Sequence, residues 1–287
     1  MTSDATGGPG GEFPDALLSL RDLRVSYPGK GRRAPRAEIL KGVSLDIRPG
    51  ETLGLVGESG SGKTTIGRAV LGLAPVESGT ITFAGGRIEK AGRARRRALA
   101  RDLQVVFQDP YTSLNPSRTV GDTLGEPLLG QGTGTKEARA RIAELLERVR
   151  LPADAADRLP REFSGGQRQR VAIARALALR PRLVICDEPV SALDLTTQRT
   201  VLELLLEIQE ETRVAYLFVT HDLGVVRFMS HRVAVIQAGE LVETGDAAQV
   251  TSEPRHPYTR ALMLAAPVAD VREQRRRREA AALSARS

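Results

Sequence analysis

An apolar stretch, Thr52 to Val56, runs directly into Gly57, Glu58, Ser59, Gly60, Ser61, Gly62, Lys63, Thr64 and Thr65, and the rest of the chain has to be built around that junction. It reads as a strand turning through glycines into a helix. The four residues between Gly57 and Gly62, followed by Lys63 and Thr64, match a phosphate-binding loop. Glycines let the backbone approach a ligand and turn successive N–H groups inward at an anion. The helix that begins near Lys63 adds its positive end. Lys63 is expected to reach the β and γ phosphates, and the Thr64 hydroxyl to take one position on Mg²⁺. The competing reading is a glycine-rich turn that only joins a strand to a helix. The loop points to a nucleoside triphosphate and says nothing of what the energy is for.

The chain of 287 residues can bury a real core, as one large domain or two small ones. With 27% charged and 41% hydrophobic residues it falls among soluble globular proteins. No apolar run approaches the roughly 20 residues that span a bilayer. The N-terminus has no basic segment followed by an apolar one, so the chain is expected to fold and stay in the cytoplasm. Cys186 is the only cysteine, which excludes an internal disulfide or a cysteine-built cluster, and its apolar surroundings favour a core position. The net charge of +7 raises the possibility of nucleic acid. The basic residues, however, fall into separate runs, Arg93 to Arg101 and Arg272 to Arg278, and only 3% of residues are aromatic. Stacking platforms for single strands are therefore scarce, and no nucleic acid is expected.

In chain order, residues 1 to 16 are expected to form a mobile tail. Strand-like segments from Leu18 to Tyr27 and from Ile39 to Ile47 flank a basic loop, Pro28 to Ala37, and short connections make this opening antiparallel. Tyr27 reads equally as strand-end packing or as a face for an adenine ring. After a loop helix from Thr65 to about Leu73 and a strand from Ser78 to Phe83, the apolar run Leu103 to Phe107 delivers Gln108 at its C-terminal end. In open α/β sheets that edge is where ligands bind, although a lone Gln after a strand is commonly a surface residue. A helical subdomain is expected over about 109 to 180, punctuated by Pro110, Pro116, Pro127, Pro152 and Pro160. It closes with Ser164, Gly165, Gly166 and Gln167 before an apolar helix. Ser164 suits an N-cap, and two glycines in a first turn expose N–H groups as a second anion site.

Leu183 to Cys186 reads as a buried strand carrying Asp187 and Glu188. This pair could be surface charge, or could serve a nucleotide, with Asp187 holding Mg²⁺ and Glu188 polarising the attacking water. Ser191, Ala192, Leu193 and Asp194 follow, and then a helix to Leu206 or Ile208. The strand Val214 to Thr220 ends at His221, which on its own could be structural. Val233 to Ile236 and Leu241 to Glu243 form a small hairpin, and Pro254 to Pro267 an appended helical segment.

Together these residues resemble the ATP-binding subunits of ABC transporters over about residues 18 to 267. Within that family they are similar to the branch that imports oligopeptides, dipeptides or nickel. Gly57 to Thr65 matches the Walker A loop, Leu183 to Glu188 the Walker B strand, and Ser164 to Gln167 the signature. Ser191 to Asp194 matches the D-loop, His221 the switch histidine, Gln108 the Q-loop glutamine, and Tyr27 the adenine-stacking aromatic. The branch is indicated by the run from Val106 to Pro116 and by His256 to Leu262. Phe163 before the signature and Val190-Ser191 after Glu188 look like the second of the two ATPases such systems often encode.

The resemblance implies an α/β fold of the P-loop type. Its core is a mixed sheet with antiparallel N-terminal strands and an inserted helical subdomain; the cassette covers residues 17 to 252 and an extension covers 253 to 287. It implies ATP and Mg²⁺, with Thr64, Asp187 and Gln108 on the metal, and Lys63, Gln108, Glu188 and His221 in catalysis. The signature would close over the nucleotide of a second ATP-binding subunit, a different chain or an identical one. Two permease subunits and an extracytoplasmic solute-binding protein would complete the system, with this chain peripheral on the cytoplasmic face of the membrane. Some relatives carry an iron–sulfur centre near the C-terminus, and none is expected with one cysteine. Rival readings are another ABC transporter type, a nucleic-acid-acting ABC ATPase, and a regulatory module without turnover. The cargo is not encoded here.

Overall fold

The computed structural model describes residues 16–29, 36–109 and 113–265. The expected N-terminal tail before residue 16, most of the basic loop, Pro110 to Thr112 of the branch-indicating run, and the Arg272 to Arg278 run lie outside the described residues.

Two sheets organise the molecule. Strands β1 (Leu18–Tyr27), β2 (Ala37–Ile47), β4 (Val76–Phe83) and β5 (Gly86–Arg87) form an antiparallel sheet in the order β2-β1-β4-β5. The second sheet has six strands in the order β10-β9-β3-β8-β7-β6. They are β3 (Thr52–Val56), β6 (Leu103–Val106), β7 (Leu183–Asp187), β8 (Ala215–Thr220), β9 (Arg232–Gln237) and β10 (Glu240–Asp246). All of its pairings are parallel except β9 with β10. Parallel strands need helical crossovers, and those crossovers cover both faces, which is why the central strands are continuous apolar runs.

Side chains on successive strand residues point to opposite faces, so the strands feed two cores. Leu183, Ile185, Ala215, Leu217 and Val219 join the antiparallel sheet and the helix α1 (Lys63–Leu71). Val184, Cys186, Tyr216 and Phe218 face the other way, into the helices between residues 113 and 212. These are α3 (Val120–Gly130), α4 (Thr135–Arg148), α5 (Gly165–Leu177) and α6 (Leu195–Thr212), the last following β7; α2 (Arg93–Leu99) lies before β6. Leu124, Leu145, Val149 and Phe163 of the helical region share one continuous core with that sheet face. Cys186 is fully buried, and burial pushes its thiol far up from the ordinary range. A third cluster under β9 gathers Val56 with residues of α7 (Leu223–Met229) and α8 (Ala247–Ser252), and α9 (Pro257–Ala265) packs on it.

Several boundaries differ from the sequence reading, and three of the differences have a local reason. Helix α1 starts at Lys63 and stops at Leu71, because Gly72 takes a left-handed φ of 74° and its N–H caps Ala69 and Arg68 carbonyls. Pro127 lies inside α3 instead of ending it. It falls in the last turn, where the Thr123 carbonyl loses a backbone donor but the helix is about to stop. Strand β10 runs to Asp246, where that residue's carboxylate caps α8 by accepting from the Ala248 and Gln249 N–H groups.

Candidate functional site

The parallel strands end on a single edge, and the side chains at their C-terminal ends meet there. An open cleft of about 620 Å³ is lined by Tyr27, Ser59 to Thr65 with the exception of Ser61, and by Gln108, Glu188 and His221. β3 delivers the glycine-rich loop, β6 delivers Gln108, β7 delivers Asp187 and Glu188, and β8 delivers His221.

The loop has the backbone that its composition demands. Gly60 and Gly62 have φ of 81° and 110°. Gly57 is required by space instead, since a Cβ there would stand 2.1 Å from the Ile236 carbonyl oxygen. Behind the loop, the Gly239 N–H donates to the Ser61 carbonyl at 3.0 Å. Lys63 is buried, and its ammonium donates to the carbonyls of Gly57 and Glu58, both at 2.7 Å. Burial draws its pKa below the ordinary lysine value, opposed by the carboxylates of Glu188, Asp187 and Glu58. Such an ammonium, held by two carbonyls and short of water, is poised to exchange them for a stronger anionic partner.

Thr64 Oγ1 donates to Asp187 Oδ1 at 3.0 Å. Burial raises the Asp187 pKa above the usual carboxylate value; the Thr64 hydrogen bond works against that rise and the Glu188 charge adds to it. A buried anion of this kind is relieved by a cation. Hydroxyl, carboxylate and carboxamide oxygens from Thr64, Asp187 and Gln108 are the hard donors that Mg²⁺ prefers, and so few of them suit a cation bound mainly through a substrate's phosphates. Among the described residues no group of three or more His, Cys, Asp or Glu forms a metal cluster by itself.

Glu188 is the hub of the cleft. Its Oε2 accepts from Gln108 Nε2 at 3.1 Å, and its Oε1 lies 3.3 Å from His221 Nδ1. The residue adopts a left-handed φ of 48°, a strained backbone for a side-chain-bearing residue. Its own N–H is anchored on the Val219 carbonyl at 2.9 Å. The strain turns the carboxylate out of the strand direction and toward the cleft.

Ser164 to Gln167 do not line this cleft. They form the start of α5, where Ser164 Oγ accepts from the Gln167 N–H at 3.3 Å and the Gln167 amide oxygen accepts from the Ser164 N–H at 2.9 Å. This reciprocal cap accounts for Ser164 and Gln167. Gly166 has a packing reason as well, because a Cβ there would meet Thr197 Cγ2 at 2.2 Å. Asp194 caps α6 by accepting from the Thr196 and Thr197 N–H groups, and Ser191 Oγ donates to the Glu188 carbonyl. Ala192 and Asp194 are exposed and Leu193 packs partly against the core.

Sequence reasoning missed three residues here. Ile39 and Arg68 line the cleft, and Tyr258 supports the loop from behind. Arg68 was detectable, one helical turn beyond Thr64 and so on the same face. Ile39 and Tyr258 carry no local signal.

The comparisons with known proteins bear on this geometry. The family described as ABC transporter matches residues 40–191, and that described as oligopeptide/dipeptide transporter, C-terminal region, matches residues 242–286. The glutathione import ATP-binding protein GsiA of Salmonella paratyphi A and that of Escherichia coli O6:H1 are each 49% identical over 269 residues, covering 92% of this chain. The chain spans 43% of the length of those relatives. Among solved structures, the cbiO1 protein of Clostridium perfringens, part of an ABC transporter complex, is similar with a TM-score of 0.74 and 28% identity, covering 83% of this chain and 92% of that one. A dimeric ATP-binding cassette in a post-hydrolysis state bound to ADP and Pi is similar with a TM-score of 0.72 and 31% identity, covering 80% of this chain and 99% of that one.

Proposed function

This chain belongs to the ABC transporter family, and we propose that it is an ATP-hydrolysing subunit driving import of peptides or related small solutes through a membrane permease. One observation carries the reading: Lys63, Thr64, Gln108, Glu188 and His221, from four separate segments, converge on one cleft behind a phosphate-binding loop. The match of the C-terminal residues to oligopeptide and dipeptide transporters, and the import proteins among its relatives, support the peptide-type cargo and the inward direction.

ATP would seat its phosphates on the N–H groups of Ser59 to Thr65 and on Lys63, with the adenine against Tyr27. Thr64, Asp187 and Gln108 would hold Mg²⁺, which when bound offsets charge on the phosphate oxygens. Glu188 takes the proton of the attacking water, and Gln108 and His221 orient its carboxylate. His221 is also placed to meet the γ phosphate. Positioning and charge compensation account for most of what a protein contributes to phosphoryl transfer.

The signature residues Ser164 to Gln167 lie outside the chain's own cleft, which supports their acting on the nucleotide of a second ATP-binding subunit. The dimeric cassette bound to ADP and Pi is in keeping with such pairing. Two permeases, an extracytoplasmic solute-binding protein and a station on the cytoplasmic face of the membrane complete the proposal. Among the described residues no helix is long and apolar enough to cross a membrane.

The test is nucleotide binding by the full chain, wild type against Lys63→Ala. The wild type should bind ATP in the presence of Mg²⁺, and Lys63→Ala should lose most of that affinity. Equal affinity in the two proteins would count against the phosphate-loop assignment.

A further inference from the structure

The segment after β10 folds back onto the rear of the phosphate loop. Glu243, on β10, accepts from the Arg255 N–H at 2.8 Å and from the His256 N–H at 3.0 Å. His256 Nδ1 in turn accepts from the Tyr258 N–H at 3.2 Å, which caps the first turn of α9, and Pro257 stands at the first helical position, where no donor is needed. The ring of Tyr258, with Leu262 and Met263, packs on the cluster that contains Val56, the last residue of β3 before the loop. The Tyr258 hydroxyl then accepts from the Glu58 N–H at 3.0 Å, across 200 residues of sequence.

That N–H belongs to the peptide whose other end is the Gly57 carbonyl, the acceptor of the Lys63 ammonium. One peptide plane is therefore held on both sides, by Lys63 from the cleft and by Tyr258 from behind. When Lys63 turns to phosphate it releases the carbonyl side, and the Tyr258 hydroxyl is the hold that remains on this peptide. A loop kept in place by the scaffold loses less conformational freedom on binding than one ordered by the ligand.

We propose that Tyr258 is a positioning residue for the phosphate loop, through which the C-terminal segment sets nucleotide affinity. The His-Pro-Tyr run then has a role at each position: His256 caps, Pro257 starts the helix, and Tyr258 reaches the loop. The inference rests on the nucleotide-site reading above.

Tyr258→Phe removes the hydroxyl and keeps the ring on its cluster. Because Glu58 is exposed, water can replace the lost acceptor, so the effect is that of one neutral hydrogen bond, a roughly two- to tenfold weaker Kd for ADP and ATP with Mg²⁺. In the assembled ATPase the larger share should fall on KM and the smaller on kcat. Amide exchange over Glu58 to Ser61 should quicken in the nucleotide-free variant while exchange across α9 stays as in the wild type. Leu262→Ala, which trims the packing and keeps the hydroxyl, should lower Tm with a smaller change in Kd.

Unchanged Kd, KM and loop exchange in Tyr258→Phe would overturn the proposal, as would a loss confined to kcat. A Leu262→Ala variant that weakens nucleotide binding as much as Tyr258→Phe would also overturn it, by assigning the effect to packing. A wild-type chain that binds no nucleotide would instead defeat the nucleotide-site reading, and this inference with it.

Discussion

Thr64 donates its hydroxyl to the Asp187 carboxylate at 3.0 Å, joining the first turn of α1 to the end of β7 across 123 residues of sequence. This bond is a direct stabilising contact on a carboxylate that burial otherwise penalises. Thr64→Val keeps the branched shape and removes the donor. It should weaken ATP binding by about tenfold in Mg²⁺, because the hydroxyl proposed to meet the metal is gone. In EDTA the two proteins should bind alike. A Thr64→Val variant with full Mg²⁺ dependence would argue against metal holding at this pair.

Glu188→Gln preserves the hydrogen bonding to Gln108 and removes the base. Turnover by the assembled enzyme should fall at least about a hundredfold, the lower range for a general base, while ATP affinity is retained. Near-normal steady-state phosphate release would defeat the assignment of Glu188.

At Ser164 two effects separate by assay. Ser164→Ala removes a cap and should cost the isolated chain about 1 kcal/mol of stability, read from denaturant unfolding. ATP binding by the isolated chain should be untouched, whereas turnover by the dimer should drop. Weakened binding in a monomeric preparation would place the signature on the chain's own nucleotide and end the reading that it serves a second subunit.

Acid should loosen the C-terminal attachment through Glu243. Burial raises this carboxyl's pKa, but the Arg255 N–H, the Thr259 side chain, the His256 N–H and the nearby His256 ring together outweigh it, and the net value lies below the ordinary 4.5. A depressed folded-state pKa means the contribution to stability is complete above the unfolded value and is lost as pH falls through the folded one. The Tm gap between wild type and Glu243→Gln should therefore be full at pH 7 and close as the pH is taken well below 4.5. A gap that persists unchanged in acid would show that charge on Glu243 is not what anchors residues 255 and 256.

What the sequence determined by itself is local. Gly57 to Thr65 announces a strand, a loop and a helix because its backbone demands and its phosphate chemistry lie within nine adjacent residues. Ser164 with Gln167 announces a helix start in the same way, because a cap acts over three residues. The apolar strands and the residues at their ends were legible too, since burial on both faces leaves an unbroken run. Which of those ends meet is another matter. The spatial order β9-β3-β8-β7-β6 brings Gln108 to Glu188 and His221, and that order arises from crossovers and a shared two-faced core rather than from any local period. Tyr258 marks the limit most clearly. Within its own segment it is one aromatic residue in the first turn of a helix, and only the packing of α9 on Val56 and its neighbours carries the hydroxyl to the Glu58 amide. Contacts across such separations depend on how whole elements pack, and that is decided when the cores form.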